Sequence, residues 1–297
     1  MITVKLQGGL GNQMFQYALG RCLAKKNSDE LELDLTFLLD RTPRENFVFR
    51  DYCLDVFDIH PRFTFLSDVG RLAHMRRFLA QSGQLALRAK QAVGVAPKVV
   101  REESFAFHPE ILQLKGNIYL DGYWQSYRYF REIEDLIRKE FALNSTSVSA
   151  HKLAERMRST QSVCVNVRRG DYVRLAPTMA SLGFVGAEYY AESMKMVLAR
   201  VREPKVFVFS DEIEWCADHL RFDCPTTFVG HEYAGEKFRD YLYLMTLCKH
   251  FIIPNSSFGW WGAWLSNSGG IVVAPKRWFK ANEWDARDLV PERWLRL

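Results

Sequence analysis

The sequence predicts an α/β protein built from two Rossmann-like domains with parallel sheets, and three observations predict it. The chain has 297 residues, which at about 100 to 200 residues per domain makes two domains. Hydrophobic residues make up 48% of it, enough to bury substantial cores and to exclude a disordered chain or a coiled coil. In the second half, short apolar runs alternate with longer amphipathic segments, the pattern of parallel strands joined by helical crossovers.

The first half opens with Ile2 to Leu6 as a strand, in which Ile2, Val4 and Leu6 alternate with Thr3, Lys5 and Gln7. A glycine turn follows, then Gln13 to Lys26 as a helix and Glu30 to Asp34 as a second strand. Beyond this the pattern loosens into a basic, helix-like stretch within residues 66–99 carrying Arg71, His74, Arg76, Arg77, Arg88 and Lys90. Asn117 to Asp121 reads as a strand and Arg128 to Phe141 as a helix. The polar run Asn144 to Ser149 is the boundary candidate, because Ser, Thr and Asn favour caps and turns. It divides the chain into domains 1–148 and 149–297.

The second domain reads as strands at Val163 to Val167, Val206 to Phe209, Thr227 to Val229, Phe251 to Ile253 and Ile271 to Ala274. Helices are expected at about Ala187 to Val201, Glu212 to Leu220, Glu236 to Lys249 and Phe258 to Leu265. Such a doubly wound domain binds ligands outside the carboxyl ends of its strands, and two facing lobes would leave a cleft lined by those loops.

Forty Lys and Arg against 35 Asp and Glu leave a net charge of +5, too weak to argue for a nucleic-acid groove. The cysteines Cys22, Cys53, Cys164, Cys216, Cys224 and Cys248 form no CxxC pair and read as small core hydrophobes, which fits a reducing cytosol. The start of the chain has no basic segment leading into an apolar core, so no secretion signal is expected. No apolar run approaches the roughly 20 residues that span a bilayer, and any membrane contact would be peripheral. The histidines show no metal-ligand spacing and there is no Asp-x-Asp pair, so no metal or other cofactor is required.

Five segments carry candidate chemistry. After the first strand, Gln7-Gly8-Gly9-Leu10-Gly11-Asn12-Gln13 feeds a helix start where backbone N–H groups can meet an anion or sugar hydroxyls. It lacks the Lys-Ser/Thr of a P-loop and the spacing of GxGxxG, and it reads equally as a tight strand-to-helix turn. Asp121-Gly122-Tyr123-Trp124-Gln125-Ser126 combines aromatic faces with an amide, suited to a sugar, against a buried aromatic turn as the plain alternative.

In the second half, the strand Val163 to Val167 runs into Arg168-Arg169-Gly170-Asp171-Tyr172. One guanidinium can fork onto a phosphate while the other pairs with Asp171 or supports the loop; a surface salt bridge is the plain reading. Ser210-Asp211-Glu212 reads as a helix cap, or as a carboxylate for a nucleotide's ribose or base. Pro254-Asn255-Ser256-Ser257-Phe258 opens a helix whose positive dipole end suits a phosphate, and Trp260, Trp261 and Trp264 beyond it include at least one packing residue.

Together these segments resemble the bacterial α-1,2-fucosyltransferases of glycosyltransferase family 11. The matching pieces are GGLGNQMFQYALG at 8–20, DGYWQS at 121–126, VNVRRGDYV at 165–173, VFSDEIEWC at 208–216 and IIPNSSFGWWGAWLS at 252–266, in order along nearly the whole chain. The resemblance implies a GT-B-like architecture, two lobes facing across a cleft, with the acceptor held by the N-terminal lobe and GDP-β-L-fucose by the C-terminal one. It implies inverting transfer to the 2-hydroxyl of a terminal β-galactoside on an oligosaccharide or lipid-linked glycan, without a metal. Transfer would take place in the cytoplasm or at the inner face of its membrane, as in O-antigen or capsule synthesis.

By the same resemblance, Arg168, Arg169, Asp171 and Asn12 are the catalytic candidates. Donor contacts are expected from Gly9, Gly11, Asn12, Gln13, Asn166, Arg168, Arg169, Asp211, Asn255, Ser256, Ser257 and Phe258, and acceptor contacts from Tyr123, Trp124 and Gln125. Members often carry His two residues before the paired arginines; this chain has Asn166, a carboxamide that does not titrate and weakens any base there. The alternatives are a transferase of other regiochemistry, another GDP-sugar enzyme, a non-catalytic glycan-binding protein, or a dinucleotide oxidoreductase with Asp34 on the ribose. The turn spacing argues against the last.

Overall fold

A computed structural model describes residues 1–64, 97–143, 148–280 and 285–297. It forms two compact units, Met1–Phe141 with Arg287–Leu289, and Ala142–Ala286 with Val290–Leu297. The division falls ahead of the expected 148/149 boundary, and a short C-terminal piece belongs to the first unit. The basic stretch 71–90 and residues 144–147 of the polar run lie outside the described residues.

The first unit holds a wholly parallel sheet of β1 (Ile2–Lys5), β2 (Leu31–Asp34), β3 (Arg62–Phe63), β4 (Lys98–Arg101) and β5 (Ile118–Asp121), in the order β3-β2-β1-β5-β4. Ile2 pairs in register with Leu31 on one side and Ile118 on the other. The strand alternation has its expected consequence: Ile2, Val4 and Leu6 are fully buried, as are Met14, Ala18 and Leu19 of the helix Leu10–Asn27. Gly20 of that helix lies so close to Val4 that a Cβ would overlap it. The helix ends at Ser28 in the left-handed conformation, whose N–H returns to Ala24 and Lys25 carbonyls.

Two expectations change here. The helix begins at Leu10, not Gln13, so Gly11, Asn12 and Gln13 occupy its first turn. The expected helix from Arg128 to Phe141 is regular only over Glu134–Glu140, after 3-10 turns at Tyr127–Tyr129 and Arg131–Ile133. Tyr129 and Phe130 are both buried in this segment.

The second unit has β6 (Gln161–Val167), β7 (Pro204–Ser210), β8 (Thr226–Phe228), β9 (His250–Ile252), β10 (Val272–Ala274) and β11 (Leu295–Arg296). All are parallel, in the order β11-β10-β9-β6-β7-β8. Val163, Val165 and Val167 pack with Tyr190, Met194 and Val197 of the helix Ala187–Leu198 and with Ile213 and Cys216 of the helix Ile213–His219. Trp260, Trp261 and Trp264 are buried on the helix Ser257–Leu265, so all three pack. All six cysteines are free, four of them buried.

The connections give this sheet a switch point. From β6 the chain winds outward through β7 and β8, then returns to β9 on the other side of β6 and winds away through β10 and β11. The loops after β6 and β9 therefore part in opposite directions, the place where open parallel sheets bind ligands.

Candidate functional site

At the switch point, Arg168 is held between two carboxylates, Nη2 2.7 Å from Asp171 Oδ2 and Nη1 2.8 Å from Asp211 Oδ2. Asp211 Oδ1 also accepts from the Arg169 backbone N–H at 3.0 Å. Gly170 makes this possible, since a Cβ there would lie 2.5 Å from Asp211 Oδ2. Asp211 thus shapes the arginine loop.

Arg169 points elsewhere. Its Nη1 is 3.3 Å from Glu212 Oε2, and its guanidinium lies over the rings of Trp215 at 4.6 Å and Phe184 at 5.7 Å. Glu212 also pairs with Arg174 at 2.7 Å. Three guanidiniums meet three carboxylates, so any anion reaching Arg168 has to compete with Asp171 and Asp211. Tyr172 ties the two loops together, donating from its hydroxyl to the Asn255 carbonyl at 2.9 Å while its ring lies 5.8 Å from the Arg168 guanidinium.

The loop after β9 is built on Asn255. Its Nδ2 donates to the carbonyls of Leu182 at 2.9 Å and Trp278 at 3.0 Å, while its buried Oδ1 has no hydrogen-bond partner. Ser256 is the N-cap residue of the helix Ser257–Leu265 but makes no side-chain cap bond, so the first-turn N–H groups are not covered by it. Ser257 and Phe258 are half-buried at this helix start. Asn166 lies beneath it: its Nδ2 donates to the Phe209 carbonyl at 3.3 Å, and a Cβ at Gly259 would come within 2.5 Å of its Oδ1. At 5% exposure Asn166 is buried inside the unit, where it ties β6 to β7.

In the first unit the turn after β1 and the turn after β5 meet. Gln125 donates from Nε2 to Asn12 Oδ1 at 2.8 Å, joining two candidates that lie far apart in the sequence. Gly8 has φ +76°, and a Cβ there would overlap the Asn12 side chain. The Gly9 carbonyl accepts from the backbone N–H groups of Asn12 and Gln13, both at 3.0 Å.

Two candidates are buried here. Gln13 is fully buried, and its amide donates to the carbonyls of Gly8 and Asp51 and accepts from the Cys53 N–H, so it braces the chain at 51–53. Trp124, 1% exposed, packs edge-on against Tyr129 at 6.0 Å and offers no face to a sugar. Tyr123 is half-buried and stacks with Phe105 at 6.3 Å.

The sequence reading missed two residues on these turns. Gln16 donates to the Gly122 carbonyl at 3.0 Å and accepts from the Gln7 N–H at 3.1 Å, locking the two turns together. Glu102, the residue after β4, accepts from the Tyr123 N–H at 2.6 Å and the Trp124 N–H at 2.8 Å, and burial pushes its carboxyl up to about 7 against the pull of those two bonds. Recognising β4 as a strand would have placed Glu102 at a strand end, but Lys98 to Arg101 carries too few apolar residues to signal it.

Residues 104–296 match the model of Glycosyl transferase family 11. The chain is 33% identical to an alpha-1,2-colitosyltransferase of Escherichia coli, covering 100% of this chain and 99% of that protein. It is 29% identical to the O-antigen biosynthesis glycosyltransferase WbnK of Escherichia coli, over 98% of this chain and 99% of that one. A galactoside 2-alpha-L-fucosyltransferase, SEC1 of Bos taurus, matches at 30% identity over 52% of this chain and 44% of its own length. With the family model matching well over half of the chain and full-length relatives on both sides of 30% identity, the protein is a glycosyltransferase and belongs to Glycosyl transferase family 11.

Proposed function

We propose that the protein transfers L-fucose from GDP-β-L-fucose to the 2-hydroxyl of a terminal β-galactoside, with inversion, during assembly of a surface polysaccharide at the cytoplasmic face of the membrane. The observation that carries the donor assignment is the pairing, at the switch point between β6 and β9, of the Arg168 loop with the start of the helix Ser257–Leu265. Residues 149–297 hold the donor in this reading, with Asn12 among its contacts, and residues 1–148 the acceptor through Tyr123 and Gln125.

Breaking the bond from the sugar to the diphosphate develops charge on the β-phosphate while the sugar becomes oxocarbenium-like, so stabilising the leaving group is the first requirement. Arg168 supplies a guanidinium already fixed by two carboxylates, and the helix start supplies neutral N–H donors along its dipole. Preorganised donors of this kind are worth about 2.7 to 4 kcal/mol each. Arg169 acts from behind, holding the loop through Glu212 and Trp215.

A second donor is favoured by one finding, the 33% identity to a colitosyltransferase over the whole chain. The test is GDP release from GDP-fucose and from GDP-colitose, with and without lactose, in EDTA, followed by linkage analysis of the product. Lactose-dependent release from GDP-fucose yielding an α1-2 galactoside is the expected result. Turnover of the colitosyl donor alone moves the assignment to colitose, another linkage revises the regiochemistry, and saccharide binding with neither nucleotide bound overturns the transferase reading.

A further inference from the structure

Transfer to a hydroxyl needs a proton acceptor, and the strand-end carboxylates differ in their fitness for that role. Asp171 and Asp211 are ion-paired with Arg168, Glu212 with Arg169 and Arg174, and Asp121 with Lys5 at 2.9 Å. Each of these carboxylates has an oxygen already taken up by a cation, which an acceptor hydroxyl would have to displace. Asp34, at the end of β2, is filled by the Thr36 N–H at 2.8 Å, the Thr36 hydroxyl at 2.5 Å and the Tyr119 hydroxyl at 2.6 Å.

Glu102 is held differently. Each of its oxygens accepts one neutral backbone N–H, from Tyr123 and Trp124, and each keeps a second lone pair. Gly122 makes room for it, since a Cβ there would overlap the Glu102 side chain. The turn it grips is unusual: Trp124 has φ +56°, a conformation rare for a bulky residue, and the next residue, Gln125, reaches Asn12. The carboxylate therefore sits on the same turn as Tyr123 and Gln125, at the carboxyl end of the first unit's sheet.

The geometry points to Glu102 as the general base that takes the proton of the acceptor hydroxyl, an assignment that rests on the transferase reading above. In this step the acceptor oxygen forms its bond to the sugar's C1 as the bond from C1 to the β-phosphate oxygen breaks, its electron pair leaving on GDP. The hydroxyl proton passes to the Glu102 carboxylate and afterwards to solvent.

The titratable groups facing Glu102 are His108, Tyr123 and Tyr129, of which the imidazole favours the carboxylate when protonated. The His108 ring is itself engaged with Ser104 at 3.0 Å and Glu110 at 3.1 Å. Of its charged neighbours along β4 and β5, Arg101 and Asp121 face each other in register and Glu103 is exposed. Burial outweighs these influences and sets the carboxyl at about 7, close to the value that suits a base at neutral pH.

The experiment uses the full chain, with Glu102→Gln and Glu102→Ala variants. Wild-type kcat is expected to rise with pH through an apparent pKa near 7, because only the deprotonated carboxylate accepts the proton. Glu102→Gln should lose about 10²- to 10⁴-fold in kcat and lose that pH limb, with GDP affinity unchanged and the acceptor KM within a few-fold. Formate should restore at least tenfold of the lost rate to Glu102→Ala. A Glu102→Gln rate within threefold of wild type overturns the proposal. So does a lowered rate with the pH limb intact and no formate rescue, which would leave Glu102 only a brace for the turn. Should wild type itself transfer neither sugar to any galactoside, the transferase reading falls and the base with it, an outcome distinct from failure of the variants alone.

Discussion

Arg168 and Arg169 are neighbours in sequence with different surroundings, and the difference predicts different phenotypes. Arg168 is held by two carboxylates, with the Tyr172 ring beside it, whereas Arg169 is wedged between Trp215 and Phe184 and neutralises Glu212. Arg168→Ala should lower kcat about 10²- to 10³-fold, the cost of removing one preorganised donor, with little change in the urea midpoint. Arg169→Ala should lower activity and also destabilise the fold by about 1 to 3 kcal/mol, because it empties a packed site and leaves a half-buried carboxylate with a single partner. Paired urea melts and steady-state rates check this; equal stability losses in both variants would contradict the division of roles. From sequence the two arginines were interchangeable, since successive residues are known to diverge but nothing local says which one meets Trp215.

The helix Ser257–Leu265 combines a start proposed to face the donor with a buried body. Trp260 stacks on Trp264 at 5.9 Å and meets Trp294 at 5.5 Å, while Trp261 lies edge-on to both of its helix neighbours. Gly262 permits this, as a Cβ would come within 2.6 Å of Met245 Cε. Trp261→Ala should therefore cost about 3 to 5 kcal/mol of stability and leave the KM for donor nearly unchanged in whatever fraction stays folded. Denaturant unfolding with the kinetics measured well below the midpoint separates the two effects, and a donor KM raised tenfold at full folding would place Trp261 in the site. The elements legible in the sequence were those with their own apolar run: β6 to β10 were all anticipated, with ends displaced by no more than a turn's fraying. β3, β4 and β11 escaped because they are short edge strands whose pairing comes from their neighbours. The candidate site divided the same way. Arg168, Asn12 and Gln125 were readable as polar groups at element ends, but the burial of Gln13, Asn166 and Trp124 depends on chain segments distant in sequence.

At the scale of the whole molecule, the two units carry very unequal shares of the tryptophans. Of the eight in the chain, Trp284 lies outside the described residues; among the described ones the first unit contains Trp124 alone, while Trp215, Trp260, Trp261, Trp264, Trp278 and Trp294 belong to the second. Intrinsic fluorescence consequently reports chiefly on residues 142–297, the part of the chain in which the donor site is proposed. A ligand that binds only the folded state stabilises it by RT ln(1 + [L]/Kd), about 2.7 kcal/mol at one hundred times Kd. GDP at that excess should raise the fluorescence-detected melting temperature of the wild type, and should do so far less in Arg168→Ala. A galactoside without nucleotide should leave this signal nearly in place, because its proposed contacts Tyr123 and Gln125 lie in the other unit. If GDP instead left the fluorescence transition unmoved while binding by calorimetry, the nucleotide would have to sit outside the second unit, and the switch point between β6 and β9 would lose its assignment.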